Sequence, residues 1–232
     1  MAPRDITTVA FDGDDTLWHN EPLFWATKER FTELLAPWAE PEHLAERSAE
    51  IGRANLRLFG YGIKGFALSL IETAIMVSNG AVPSAVIHEI VERAKDMLAH
   101  PVHLLDGARE AVEFCRGRYR TVLITKGDLL DQESKIARSG LAELFDAVEI
   151  VSEKDEGCYR RLLALHGSGP EHAVMVGNSV RSDVLPVIAA GGWTVQVAYP
   201  LVWEHERAEA PIGHPRYTHI ESLLELPGWL QP

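Results

Sequence analysis

Basic residues are scarce in this chain of 232 residues, which carries 22 lysines and arginines against 34 aspartates and glutamates. The formal net charge is −12, and no run of five or six basic residues interrupts this acidity. A protein that binds the phosphate backbone of nucleic acids needs a basic face. The composition therefore predicts that nucleic acid is not a partner.

Cysteines and long apolar runs are also scarce. Cys115 and Cys158 are too few for a disulfide framework, and both lie in helix-like segments where a small buried side chain is expected. No apolar run approaches the length of a membrane-spanning helix, and the opening MAPRDITTV lacks the apolar centre of a signal peptide. We therefore expect a cytoplasmic protein without a membrane partner.

Short apolar runs rich in β-branched residues predict the strands of a parallel sheet. They lie at 6–11, 121–125, 147–151, 173–176 and 193–197, and helical patterns that end at glycine separate the later ones. Regular alternation of strand and helix is typical of a doubly wound α/β fold, in which ligands bind beyond the carboxyl ends of the strands. The sequence therefore predicts this fold class and places a crevice at those ends.

The segment 18–100 interrupts this alternation. It has no convincing strand, is rich in Ala, Leu and Glu, and shows helical spacing of its apolar residues. We predict two domains, an α/β core of residues 1–17 and 101–232 and an α-helical cap of residues 18–100. An insertion at the end of the first strand is expected to act as a lid. Trp18 and His19, at its start, either pack in the cap or contact a substrate.

Three aspartates crowd into VAFDGDDTLW, residues 9–18, directly after the first predicted strand. Like charges this close repel one another, and burial adds the loss of hydration. Asp12 and Asp14 alternate about the strand end, so both can face the crevice, where they either share a proton or bind a cation. Aspartate oxygens favour a hard ion, Mg²⁺ before Zn²⁺ or Cu²⁺. The alternative is a cluster that only builds a turn and caps a helix.

Polar side chains also follow the later strands. Thr125 ends the run TVLIT, Lys154 follows the third strand, and Asn178 and Asp183 lie in GNSVRSD after the fourth. Together with Mg²⁺, carboxylates, a lysine and a hydroxyl are the parts of a phosphoryl-transfer site, in which an ionised aspartate can be the nucleophile. Each of these residues also has a non-catalytic interpretation when it is considered alone. Lys154 is then a solvated surface lysine, Thr125 a threonine that ends a strand, and Asp183 the cap of the following helix.

The four segments, in this order, resemble the four motifs of the haloacid dehalogenase-like superfamily. DGDDT at 12–16 resembles D-x-D-x-T, and the resemblance spans nearly the whole chain, including a helical cap after the first strand. It implies that Asp12 forms an aspartyl-phosphate and that Asp14 is the general acid and base. It also implies that Thr125 and Lys154 bind phosphate, and that Asp12, the Asp14 backbone carbonyl, Asn178 and Asp183 hold Mg²⁺. Lys126 is a further candidate for phosphate binding, and the alternative is that its side chain faces solvent.

The resemblance implies a Mg²⁺-dependent phosphatase acting on a small phosphorylated metabolite. The dehalogenase branch lacks an aspartate at the position of Asp14 and is disfavoured. Two departures from the family pattern stand out: Asn178 replaces a common aspartate and removes one negative charge, and Lys126 precedes Gly127 where Asn-Gly is frequent. A phosphomutase with the same residues and a non-catalytic binding module remain as alternatives.

Overall fold

The computed structural model describes residues 5–231 and contains one six-stranded sheet within them. Its strands are β1 Thr8–Phe11, β2 Arg120–Lys126, β3 Ala147–Val151, β4 Ala173–Gly177, β5 Trp193–Val197 and β6 Tyr217–Ile220. They run parallel in the order β3-β2-β1-β4-β5-β6. The predicted parallel α/β fold is confirmed.

Nine α-helices lie within the same residues. They are α1 Glu21–Leu35, α2 Pro41–Phe59, α3 Ile63–Val77, α4 Ser84–Ala99, α5 Ala108–Cys115, α6 Leu129–Ser139, α7 Glu156–His166, α8 Leu185–Ala190 and α9 Leu226–Leu230. A π-helical turn, Val180–Val184, directly precedes α8. In the described part of the chain, none of the helices is both long enough and apolar enough to cross a membrane.

Alternate residues of each strand face opposite sides of the sheet, and each side has its own apolar core. Val9 and Phe11 pack with residues of α5, α6 and α9 on one side. Ala10 packs with residues of α7 and α8 on the other. The two cysteines are free and buried, Cys115 in the first core and Cys158 in the second, as expected. Helices on both faces make the sheet doubly wound.

The strand β6 is an element that the sequence analysis did not predict, since its last strand-like run ends at residue 197. The tail after residue 199 contains five prolines, which are typical of a loop, and the strand itself is only four residues long, with one buried position at Ile220. It is an edge strand that pairs with β5 alone. Because only one of its sides is paired and little of it is buried, no alternating apolar pattern marks it.

The chain divides into two compact units. The sheet unit comprises Met1–Glu21, Val102–Lys126 and Ser134–Pro232, and the helical unit comprises Pro22–Pro101 and Gly127–Glu133. The helical unit has a core of its own, contributed by α1 to α4: Phe31, Leu35, Leu44, Leu70, Ala74 and Ile90. The domain boundaries drawn from the sequence stay a prediction, and the two units differ from them at 18–21, 101 and 127–133.

Candidate active site

The carboxyl ends of four strands meet within the sheet unit and carry the predicted site residues. Asp12 directly follows β1, Thr125 lies at the end of β2, Lys154 follows β3, and Asn178 follows β4. The strand β1 pairs with β2 on one side and with β4 on the other. Parallel pairing therefore brings residues more than 100 positions apart in sequence to one edge of the sheet.

Asp12, Lys154 and Asp183 form a buried charged cluster. The Lys154 ammonium Nζ lies 2.5 Å from Asp12 Oδ1 and 2.8 Å from Asp183 Oδ1. Burial alone would lower the pKa of Lys154, but the two carboxylates outweigh it and raise that pKa above its usual range. Burial raises the pKa of the Asp12 carboxyl, against the attraction of Lys154. Two buried carboxylates share one ammonium, so the cluster carries an excess negative charge that a cation could neutralise.

Asp14 is paired with a different lysine, which the sequence analysis missed. Lys135 Nζ, from α6, lies 2.8 Å from both carboxylate oxygens of Asp14, and the Trp18 indole Nε1 donates to Asp14 Oδ1 at 2.7 Å. Trp18 is fully buried and covers Gly13, where a Cβ would lie 2.6 Å from the indole ring. Trp18 therefore packs within the sheet unit rather than in a helical cap.

No motif marks Lys135, and it is the structure that shows this residue on the buried side of α6. The buried residues of this helix recur at 131, 132, 135, 136 and 139, so Lys135 shares a face with the buried Ile136. A lysine on the buried side of a helix is uncommon unless a carboxylate meets it. The sequence alone does not indicate which carboxylate that is.

Asp15, the third aspartate of the run, builds the turn after β1. Its φ is +60°, in the left-handed region that Asp tolerates better than most residues. Its carboxylate accepts hydrogen bonds from the backbone N–H groups of Asn20 and Glu21, at 2.8 and 2.9 Å, where α1 begins. Burial raises the pKa of Asp15 to about 7, and the two backbone hydrogen bonds oppose that rise. The turn-and-cap role therefore belongs to Asp15.

Thr16 joins the first strand end to the fourth. Its hydroxyl Oγ1 donates to Asp12 Oδ2 at 3.1 Å and accepts from the Asn178 backbone N–H at 3.0 Å. The Asn178 side-chain oxygen Oδ1 lies 3.4 Å from the same hydroxyl. Within residues 5–231, no three His, Cys, Asp or Glu side chains form a metal-binding group. A cation at this edge would therefore need amide or backbone oxygens beside carboxylates.

Asp183 is tightly packed in the turn Val180–Val184. Its Oδ2 accepts from the Ser179 backbone N–H at 3.0 Å, and its Oδ1 receives Lys154. A Cβ at Gly177 would lie 2.4 Å from the Asp183 carboxylate, so only glycine fits there. Both carboxylate oxygens thus have partners within the protein. Asp183 holds Lys154 and the loop after β4 in place.

Thr125 carries a buried hydroxyl that lacks a partner. The residue is 1% exposed, and its Oγ1 makes no hydrogen bond to any residue between 5 and 231. A Cβ at Gly13 would lie 3.4 Å from this oxygen, which places the hydroxyl beside the backbone between Asp12 and Asp14. A buried polar atom without a partner costs free energy, so this hydroxyl is available to donate to a ligand.

Lys126 is held by Glu206, from the loop after β5. Its Nζ lies 2.5 Å from Glu206 Oε1 and 2.8 Å from the Ser182 hydroxyl, and its side chain is only 13% exposed. Glu206 Oε2 accepts from the hydroxyls of Ser179 and Ser182, at 2.5 Å each. The sequence analysis did not single out Glu206, since nothing near it in sequence indicates a partner 80 positions away.

Glu206 predicts a stability change at acid pH. Burial opposes its ionisation, but Lys126 and the two serine hydroxyls outweigh burial and lower its pKa from 4.5 to about 2. A lowered pKa in the folded state stabilises the protein above pH 4.5, and this contribution is lost as the pH falls towards 2. In urea titrations at pH 6 and pH 3, Glu206→Gln should therefore lose less stability than the wild type on acidification. An equal loss in both proteins would contradict this account.

Comparison with known proteins supports the family suggested by the motifs. The family model of haloacid dehalogenase-like hydrolases matches residues 6–191. No match is found among curated proteins. A haloacid dehalogenase-like family hydrolase from Xanthomonas campestris is 40% identical, with 97% of this chain and 91% of that chain covered and a TM-score of 0.86.

Two more distant structures share the fold. The HAD-hydrolase YfnB from Bacillus subtilis, bound to magnesium, is 16% identical, with 99% and 100% of the two chains covered and a TM-score of 0.65. An L-2-haloacid dehalogenase from Xanthobacter autotrophicus, with chloropropionic acid covalently bound, is 16% identical, with 97% and 98% covered and a TM-score of 0.62. The family match covers most of the sheet unit and all of the segment 22–101. The chain therefore belongs to the haloacid dehalogenase-like hydrolases.

Proposed function

We propose that this hydrolase is a Mg²⁺-dependent phosphatase that cleaves a small phosphorylated metabolite through an aspartyl-phosphate. The observation that carries the proposal is the separate placement of the two aspartates, Asp12 against Lys154 and Asp14 against Lys135. A halide leaves carbon as a stable anion and needs no proton, whereas an alcohol leaving phosphorus needs one. A second carboxylate beside the nucleophile therefore supports phosphate-ester cleavage over dehalogenation.

In the first step, an oxygen of Asp12 attacks the phosphorus of the ester and the bond to the leaving oxygen breaks. Asp14, which carries the proton that it takes from water in the second step of the preceding cycle, gives this proton to the leaving oxygen, and the alcohol departs. In the second step, water attacks the phosphorus of the aspartyl-phosphate while Asp14 takes a proton from the water. The bond between phosphorus and Asp12 then breaks, which releases inorganic phosphate and restores the Asp12 carboxylate.

The phosphoryl group has suitable partners beside Asp12. The unpartnered Thr125 hydroxyl can donate to a phosphoryl oxygen, and Lys154, held at 2.5 Å from Asp12, can neutralise a second. Lys126 is the third residue proposed for this role, and Glu206 and Ser182 set the position of its ammonium. All of these groups belong to the sheet unit.

The oxygens at the strand ends fit a hard cation. Asp12 Oδ2 and Asn178 Oδ1 both lie next to the Thr16 hydroxyl, at 3.1 and 3.4 Å, and the Asp12 cluster carries excess negative charge. These two side chains and the Asp14 backbone carbonyl would hold Mg²⁺, while Asp183 would act behind them through Lys154. When bound, Mg²⁺ stabilises negative charge on the phosphoryl oxygens. The magnesium in the Bacillus subtilis structure supports this choice.

A paired assay tests the proposed function. Purified protein is incubated with p-nitrophenyl phosphate and, separately, with L-2-chloropropionate, each with Mg²⁺ and with EDTA. We expect nitrophenolate and phosphate release that requires Mg²⁺, and no chloride release. Chloride release without Mg²⁺ would establish a dehalogenase. Absence of both products would contradict the phosphatase and leave the phosphomutase and the binding module, which incubation with sugar phosphates and analysis for isomerisation without phosphate release would distinguish.

A further inference from the structure

Lys135 occupies an unusual position for a lysine. The residue is 8% exposed, and its ammonium lies 2.8 Å from each carboxylate oxygen of Asp14 and 3.1 Å from Asn20 Oδ1. Burying a flexible, strongly hydrated ammonium is costly unless a carboxylate meets it closely. The close contact with the Asp14 carboxylate therefore offsets the cost of burying the Lys135 ammonium.

Trp18 restrains the same carboxylate from a second direction. Its Nε1 donates to Asp14 Oδ1 at 2.7 Å, and its ring is fixed because it is fully buried against Gly13. A carboxylate that faces a bidentate ammonium and a rigid indole donor has little freedom to rotate. Proton transfer is efficient only when donor and acceptor are held within hydrogen-bond reach. A carboxylate that is restrained in this way stays in one orientation for a proton transfer.

We propose that Lys135 is a positioning residue that, with Trp18, fixes the Asp14 carboxylate for proton transfer to the leaving oxygen. The inference rests on the proposed phosphatase function and adds a residue to it. Lys154 contacts Asp12 and Asp183, whereas Lys135 contacts Asp14. Removal of Lys135 therefore leaves the nucleophile and its lysine in place and impairs the departure of the leaving group.

The test compares two substrates that differ in their need for a proton. Nitrophenolate is a good leaving group without protonation, whereas phenolate benefits from a general acid. The ratio kcat/KM covers the steps up to departure of the leaving group and excludes hydrolysis of the aspartyl-phosphate. We therefore measure kcat/KM with p-nitrophenyl phosphate and with phenyl phosphate for the wild type, Lys135→Met, Asp14→Asn and the double variant. Lys95→Met, at a lysine 64% exposed, is the matched control.

For Lys135→Met, we expect kcat/KM to fall about tenfold or more with phenyl phosphate and less than about threefold with p-nitrophenyl phosphate. In the Asp14→Asn background, the same change should alter neither value by more than about twofold, because the group it positions is absent. Equal losses on both substrates, or additive losses in the double variant, would overturn the proposal and leave Lys135 a purely structural role.

Two further variants keep the test decisive if Lys135→Met does not fold. Trp18→Phe keeps an aromatic ring over Gly13 but removes the Nε1 donor, and it should show the same selective loss with phenyl phosphate. Lys135→Arg keeps the positive charge and should restore part of the wild-type value. An unselective loss in Trp18→Phe would overturn the proposal. A wild type inactive on both esters with Mg²⁺ would instead overturn the phosphatase function itself.

Discussion

Replacement of Asp12 by asparagine is expected to lower kcat/KM for p-nitrophenyl phosphate at least about a thousandfold, because the variant loses the attacking carboxylate. The amide oxygen can still face Lys154, which lies 2.5 Å from Asp12 Oδ1 in the wild type, and the amide NH2 can donate to the Thr16 hydroxyl, which lies 3.1 Å from Asp12 Oδ2. We therefore expect the fold to survive. The measurement is the initial rate of nitrophenolate release with excess Mg²⁺, beside circular dichroism of both proteins.

Asp106→Asn is the control for this experiment, since Asp106 is exposed and belongs to the same sheet unit. It removes the same charge without touching the strand-end cluster. We expect its rate to match the wild type within about twofold, as for most surface substitutions. Retention of more than about a tenth of the activity in folded Asp12→Asn would exclude Asp12 as the nucleophile.

Replacement of Lys154 by methionine is expected to produce the largest loss of stability. It leaves the carboxylates of Asp12 and Asp183 buried without their ammonium, and removal of one partner from a buried ion pair costs about 3–5 kcal/mol. For a chain of this size, such a loss lowers the midpoint of thermal unfolding by roughly 6–20 °C. Differential scanning calorimetry of the wild type and Lys154→Met measures it directly.

Lys95→Met serves as the control, because Lys95 and its partner Glu92 lie at the surface, with side chains 64% and 47% exposed, and surface pairs contribute little. Mg²⁺ should raise the midpoint of Lys154→Met more than that of the wild type, since a cation replaces the missing positive charge. A midpoint within about 2 °C of the wild type would show that Lys154 does not stabilise the Asp12 and Asp183 carboxylates in the folded protein.

Most of the sheet could be predicted from local sequence patterns. Five of the six strands lie where short β-branched runs predicted them. The central strands β1, β2 and β4 are largely buried, and a buried parallel strand must be apolar on both faces. The strand β6 escaped detection because it is a short edge strand with one buried residue. Parallel pairing then placed Asp12, Lys154 and Asp183 close together, as the order of the motifs indicated.

The partners of these residues could not be predicted in the same way. Lys135 meets Asp14 across 121 positions, and Glu206 meets Lys126 across 80. Such contacts depend on how a helix face or a loop packs after the sheet has formed, and no local periodicity reports them. The structure shows how three neighbouring aspartates are accommodated. Asp12 and Asp14 are each paired with a lysine, and Asp15 accepts from backbone N–H groups at the start of α1.

The central claim, that Asp12 carries the phosphoryl group, is tested most directly by trapping the intermediate. Wild-type protein is mixed with a ³²P-labelled phosphate ester and Mg²⁺, quenched in acid within the first turnover, digested and mapped by mass spectrometry. We predict hydroxylamine-labile label on the peptide that contains Asp12, and none in Asp12→Asn. Phosphate release without a labelled protein, or label on another residue, would contradict the account.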